Sequence, residues 1–173
     1  MNTPKIDLEK MRINRDDLAV LLSPYYNGIF LLLDGIISID EEKKEIIAYK
    51  YIGKRDPFLK RHLKGKVYPG FVLAECIAQA FITMILKTSE KKLKGEPRLV
   101  KVSNITFGKE IKMGNQLRIV VQMISTKKRV FSFRGYVEDY LTGKKALEID
   151  CIEGRFLSNG LIERMKTFFH ELA

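Results

Sequence analysis

Apolar and polar positions follow two different periods along this chain. From Phe71 to Leu86 the apolar residues recur nearly all the way round a helical turn, the pattern of a helix wrapped by protein on every side. Beyond it the period becomes two. LVKVSNITF, QLRIVVQMIS, RVFSFRGYVED and KALEIDCIEGRFL alternate as half-buried strands. Leu117, Ile119, Val121 and Met123 share one face, and Phe131, Phe133, Gly135 and Val137 share another. Ahead of the helix, IFLLLDGIISI reads as a buried strand, EEKK as its turn and EIIAYKYIG as the return strand of a hairpin.

The connections follow from local chemistry. Pro69 suits the first turn of the long helix and Gly70 stands at its start. RDPFLKRHLKGK is irregular with a short helical turn, and KTSEKKLKGEP ends the long helix as a charged surface loop. Lys5 to Leu22 reads as one or two short helices, with Asp16 and Asp17 as caps of the second, and SPYYNG breaks that pattern. SNGLIERMKTFFHELA reads as a capped amphipathic helix. The expected organisation is a helical extension over 1–22, a core domain over 23–157 and a C-terminal helix over 158–173. One apolar helix followed by antiparallel strands predicts an α+β fold, with a sheet curled around that single central helix.

At 173 residues the chain fits one core of useful size. No apolar run reaches the roughly 18 residues of a membrane span, and the charged N-terminus lacks the apolar stretch of a secretion signal. The reading is therefore cytoplasmic, with no membrane partner. Cys76 and Cys151 both sit in apolar contexts and read as buried thiols. No CxxC and no His/Cys cluster points to a metal. The net charge of +10 implies an acidic partner: nucleic acid, an anionic membrane, a CoA phosphate or an acidic carrier protein. Residues 1–22 are too short for a helix-turn-helix and carry no Arg-, Asn- or Gln-rich recognition helix, which argues against nucleic acid.

Candidate chemistry gathers between 61 and 80, in RHLKGKVYPGFVLAECIAQA. Glu75 lies in the second turn of the apolar helix, with Gln79 at i+4 on the same face. A carboxylate in such surroundings is costly unless paired, protonated or functional, and desolvation raises its pKa toward values useful for donating a proton. The bland alternative is a Glu held by backbone or by a lysine. His62 lies on the preceding loop beside Arg61 and Lys64, where a solvated imidazole is the ordinary outcome. The second histidine, His170, stands near the chain end. Free N–H groups at Gly70 face out of the helix N-terminus and make an oxyanion site. An acid, a base and an oxyanion donor would suit removal of a proton α to a thioester carbonyl with loss of a β-hydroxyl.

The run H…V-Y-P-G-F-V-L-A-E-C-I-A-Q-A resembles the active-site signature of the β-hydroxyacyl-ACP dehydratases of fatty-acid synthesis. IFLLLDGI resembles that family's PFLLVDR strand, and ITFGKEIKMGNQLRI resembles its segment after the helix. The three stretches span about residues 23–157 in the family's order. The resemblance implies the hotdog fold and dehydration of (3R)-3-hydroxyacyl-ACP to trans-2-enoyl-ACP. It implies His62 as the base, Glu75 as the acid, the Gly70 amide as the donor to the thioester carbonyl, and Tyr68 and Gln79 as further substrate-binding residues. It also implies no metal or organic cofactor, an acidic acyl carrier protein as partner, and a homodimer or an assembly of dimers with His and Glu from different subunits. Arg61, Lys64, Lys66 and the segment Lys91 to Lys94 are the candidates for steering that carrier.

The departures are equally specific. Where the family has G-H-F-P this chain has Arg61-His62-Leu63-Lys64, and the interval from His62 to Pro69-Gly70 is one residue shorter. The third stretch lacks the family's two prolines and its Asp. A specialised acyl substrate is one consequence. The alternatives are a hotdog acyl thioesterase, which needs the helix carboxylate but not the histidine, and a non-catalytic acyl-thioester-binding relative.

Overall fold

Six strands form one antiparallel sheet in the order β1-β2-β4-β5-β6-β3, in a computed structural model that describes residues 11–26, 28–88, 95–127 and 130–157. The strands are β1 (Gly35–Asp40), β2 (Glu45–Tyr51), β3 (Glu96–Phe107), β4 (Gln116–Lys127), β5 (Val130–Asp139) and β6 (Lys145–Leu157). Three helices accompany them: α1 (Arg15–Leu22), α2 (Pro57–Arg61) and the long α3 (Gly70–Thr88). The sheet curls around α3, an α+β hotdog arrangement, as the two hydrophobic periods imply.

The wrap is built from alternation on the strands meeting all-round apolarity on the helix. Leu117, Ile119 and Val121 of β4 and Phe133 and Val137 of β5 are buried, and they join Leu73, Ile77, Phe81 and Met84 of α3 in one core. Gly135 lets β5 come close to the helix. A Cβ there would lie 3.0 Å from Ile77 Cγ2 and 2.9 Å from the Val120 carbonyl oxygen, too close for any larger residue without movement. By length and a mean hydropathy of 1.6, α3 would also pass as a membrane span, contrary to the expectation that no run is long enough. Its apolar surface is taken up by the sheet instead, with 61% of the span buried. Its two ends escape the wrap, with Phe71 74% exposed in the first turn and Lys87 exposed in the last.

Several local expectations are corrected. IFLLLDGIISI is a strand only from Gly35 onward, because Gly28–Phe30 forms a 3-10 turn and Ile29 and Phe30 are exposed. The cap of α1 is Asn14, whose side chain accepts the Asp17 N–H at 2.9 Å, so Asp16 and Asp17 occupy the first turn instead. Leu18 and Leu22 of this helix are buried in the common core. Cys76 is buried but Cys151 is only half-buried. β3 was expected to be half-buried, yet it leaves Leu99, Val100 and Val102 exposed and pairs on one side only, with β6. His170, the C-terminal helix and Lys91 to Lys94 lie outside the described residues.

One buried ion pair ties the sheet to the loop that carries His62. Lys50 of β2, 5% exposed, places Nζ 3.1 Å from Asp56 Oδ2 and donates to the Leu32 carbonyl at 3.0 Å. Oδ1 of the same Asp56 caps α2, accepting from the Phe58 and Leu59 amides at 2.9 and 3.2 Å. Removing one partner of such a pair leaves an uncompensated buried charge. Lys50→Met is therefore expected to lower unfolding stability by about 3–5 kcal/mol, read as a shift in the urea midpoint at neutral pH; an unchanged midpoint would deny the pair its anchoring role.

Candidate active site

The start of α3 is braced from below by the third of the sequence stretches. The Tyr68 N–H donates to the Ile111 carbonyl at 2.7 Å, and Ile111 is buried. Phe107 presses on the helix start, where a Cβ on Gly70 would come within 2.6 Å of its ring. Gly70 is thus the residue that lets β3 close against α3. Pro69 stands just ahead of the first helical residue, and the Gly70 N–H meets no acceptor among the described residues. That donor sits at the positive end of a 19-residue helix, where the dipole favours a developing negative charge.

Glu75 is reached one and a half turns along α3. It lines a cavity of about 520 Å³ with Tyr26, Ala78, Phe81, Ile82 and Arg98 among its other walls. Burial pushes the Glu75 carboxyl above its ordinary 4.5, while hydrogen bonding from Tyr26 and Gln79 pulls the other way. The Tyr26 phenol is itself pushed up, first by burial and then by the charge and hydrogen bond of Glu75, with Arg98 opposing. Burial therefore makes this carboxyl harder to ionise than a free one. Tyr26 and Arg98 were missed from the sequence. Tyr26 sits in a turn, SPYYNG, without periodicity, and Arg98 is brought in by the pairing of β3 with β6.

His62 caps the C-terminus of α2, its N–H donating to the Leu59 carbonyl at 3.3 Å. Its ring is half-buried and Nδ1 lies 2.9 Å from the Val67 carbonyl oxygen. A carbonyl only accepts, so Nδ1 carries a proton and Nε2 is the nitrogen that a neutral ring would leave with a lone pair. The shortened loop makes this bond by a tight reversal in which Leu63 (φ 42°) and Lys64 (φ 56°) both take the left-handed conformation. His62 does not line the cavity that holds Glu75. Within this chain the two side chains do not line a common cavity.

The other sequence candidates serve the frame. Gln79 is fully buried, with Oε1 accepting the Leu32 N–H at 3.0 Å and Nε2 donating to the Phe30 carbonyl at 2.5 Å. Its amide satisfies the backbone of the segment before β1. Tyr68 is 2% exposed, lies outside the Glu75 cavity, and its hydroxyl has no partner among the described residues. A larger groove of about 1090 Å³ is lined by Arg15, Asp34, Lys50 and Asp56. These groups pair with each other, Arg15 with Asp34 and Lys50 with Asp56, and leave none of the four free to act as acid or base. Among the described residues no three His, Cys, Asp or Glu side chains gather as metal ligands.

The FabA-like domain family matches residues 25–150. The 3-hydroxyacyl-(acyl-carrier-protein) dehydratase FabZ of Xanthomonas oryzae pv. oryzae is 33% identical over 132 residues, 73% of this chain and 84% of that protein. The FabZ of Thermotoga petrophila is 31% identical over 121 residues, 68% and 84% of the two chains. Among solved structures, the dehydratase heterocomplex ApeI:P from Xenorhabdus doucetiae aligns with a TM-score of 0.68 at 16% identity, covering 81% of this chain and 92% of that one. Zebrafish thioesterase superfamily member 2 aligns at 0.61 and 14% identity, covering 83% and 95%. The two structural likenesses bear on the fold alone.

A carboxyl whose folded pKa is raised makes the folded state bind its proton more tightly than the unfolded chain does. It then penalises folding as pH rises through 4.5 and up to the raised value, and contributes no penalty below that window. Glu75→Gln should therefore be more stable than the parent at pH 7–8, with the difference fading toward pH 4, as read from urea midpoints across that range. Equal midpoints at neutral pH would mean that Glu75 is not desolvated.

Proposed function

Since the chain belongs to the FabA-like domain family, we propose that it is a 3-hydroxyacyl-ACP dehydratase, a hydro-lyase that converts (3R)-3-hydroxyacyl-ACP to trans-2-enoyl-ACP and water. The observation that carries the reading is the desolvated Glu75 carboxyl in a cavity along α3, 5 residues beyond a helix-start amide without an acceptor among the described residues.

The residues divide the reaction between them. The thioester carbonyl accepts the Gly70 N–H, which stabilises the enolate charge that develops on its oxygen. His62 Nε2 takes the C2 proton, becoming imidazolium. Protonated Glu75 gives its proton to the C3 hydroxyl, which departs as water while the C2–C3 double bond forms. Return of one proton from His62 to Glu75 through solvent restores both groups. Tyr26 orients the carboxyl from the cavity wall, and Gln79 holds the segment before β1 against the helix that carries Glu75.

A homodimer completes this site. His62 does not reach the Glu75 cavity of its own protomer, so the base comes from a second copy. The unpaired side of β3, with Leu99, Val100 and Val102 exposed, is the edge suited to continue the sheet into that copy. The acidic carrier protein would be drawn to the exposed Arg61, Lys64 and Lys66 around the His62 loop, on a chain of net charge +10. A cytoplasmic enzyme of acyl-chain synthesis is the corresponding placement.

The direct measurement follows enoyl absorbance on a (3R)-3-hydroxyacyl thioester. His62→Ala and Glu75→Ala are each expected to lower kcat by about 10²–10⁴-fold; full activity in either variant would remove that residue from the mechanism. Release of free thiol without enoyl product would make the protein a thioesterase instead.

The pH profile tests the acid. Activity should fall as pH rises through the Glu75 pKa, because the leaving hydroxyl needs its proton. Tyr26→Phe removes a hydrogen bond that favours the ionised carboxylate, so it should raise that pKa further and move the alkaline limb to higher pH. An alkaline limb that moves down, or stays, would dissociate Tyr26 from Glu75.

A further inference from the structure

The Glu75 cavity runs along one face of α3, from Glu75 through Ala78 to Ile82. Seven residues of helix rise cover about 10 Å. Its floor is a set of packed aromatic rings. Phe81 of α3 stacks on Phe133 of β5 with centroids 3.7 Å apart and planes 14° from parallel. Phe131 meets Phe81 edge-on at 6.0 Å and Phe156 of β6 at 5.6 Å, and Tyr25 closes on Phe156 at 6.4 Å. Phe81, Phe131, Phe133 and Phe156 are all buried.

One helical turn before Phe81, on the face of α3 that meets β5, the helix and sheet are in direct contact. Gly135, two residues past Phe133 on the same face of β5, brings the strand so near that a single added carbon would press on Ile77. Helix and sheet are therefore packed together at two successive turns, by Ile77 against Gly135 and by the Phe81–Phe133 stack that forms the cavity floor. A rigid, densely packed floor of this kind does not open by a fraction of an ångström to let a chain pass.

We propose that this aromatic floor sets an upper limit on acyl length, restricting the site to short and medium tails of about hexanoyl to octanoyl size, with Phe81 and Phe133 as the specificity-determining residues. The proposal rests on the dehydratase reading for the identity of the reacting end. It deepens that reading by giving the substrate class. A longer tail meets the buried Phe81–Phe133 stack and must either leave its end in water, forfeiting the burial of each methylene, or displace those rings.

The experiment compares (3R)-3-hydroxyacyl-pantetheine thioesters of butanoyl, hexanoyl, octanoyl, dodecanoyl and hexadecanoyl length on the full chain. The expected result is a kcat/KM for dodecanoyl and hexadecanoyl at least tenfold below that for hexanoyl. Phe81→Leu and Phe133→Leu, two variants that keep an apolar floor and fold independently of one another's success, should raise the dodecanoyl-to-hexanoyl ratio about tenfold. A parent enzyme that turns over hexadecanoyl as readily as hexanoyl overturns the limit, and so does an unmoved ratio in the folded variants. Calorimetric binding of the saturated acyl-pantetheines, which have no hydroxyl to lose, separates the two levels. Turnover without length discrimination defeats the limit and spares the dehydratase reading. Length-dependent binding without turnover of any substrate does the reverse. Neither binding nor turnover at any length defeats both.

Discussion

Burial of one apolar helix by a curled sheet is the interaction on which every other property of this protein rests. The helix α3 cannot face water along most of its length, and the alternating faces of β4 and β5 need an apolar partner. Each satisfies the other, and Gly135 brings them to contact distance. Once the helix is fixed, anything polar on it inherits a low-dielectric setting. Glu75 acquires a reluctance to ionise, and Gln79 must find partners for both ends of its amide. Architecture and electrostatics are here the same event, because the packing that folds the chain also raises the pKa of Glu75.

The helix also organises what lies outside the sheet. Through Gln79 it grips the backbone at Phe30 and Leu32, and this holds the turn bearing Tyr26 over the cavity. Through Gly70 it accepts Phe107, and through Tyr68 it is tied to Ile111. The stretch that resembles a family segment after the helix is thus a buttress for the helix start. Loss of the family's prolines from that stretch leaves this bracing intact, since it depends on one backbone hydrogen bond and one ring.

The helix and the four later strands were legible because each has a pure period, and Glu75 stood out because it breaks one. What was illegible depended on partners distant in sequence. Leu31 to Leu33 look like a strand by composition, yet buried Gln79 supplies hydrogen bonds that a neighbouring strand would otherwise give. Tyr26 and Arg98 carry no pattern of their own and become neighbours of Glu75 only when the turn and β3 are folded over it. The apolar residues of β3 read as half-buried because alternation signals a covered face, yet the described elements of this chain leave Leu99, Val100 and Val102 exposed. Gln79 shared a helical face with Glu75, and spacing alone could not show that its amide also holds the backbone at Phe30 and Leu32.

The imidazole of His62 is held by Nδ1, and that choice of atom has a consequence for the loop's endurance. Leu63 and Lys64 are in a conformation that side-chain-bearing residues resist, so the reversal persists only while its surroundings insist on it. The bond from Nδ1–H to the Val67 carbonyl is one of those restraints. It exists in the neutral ring and equally in the imidazolium, because the proton that comes and goes does so at the opposite nitrogen. The restraint on the strained turn is therefore the same whichever charge state the ring holds.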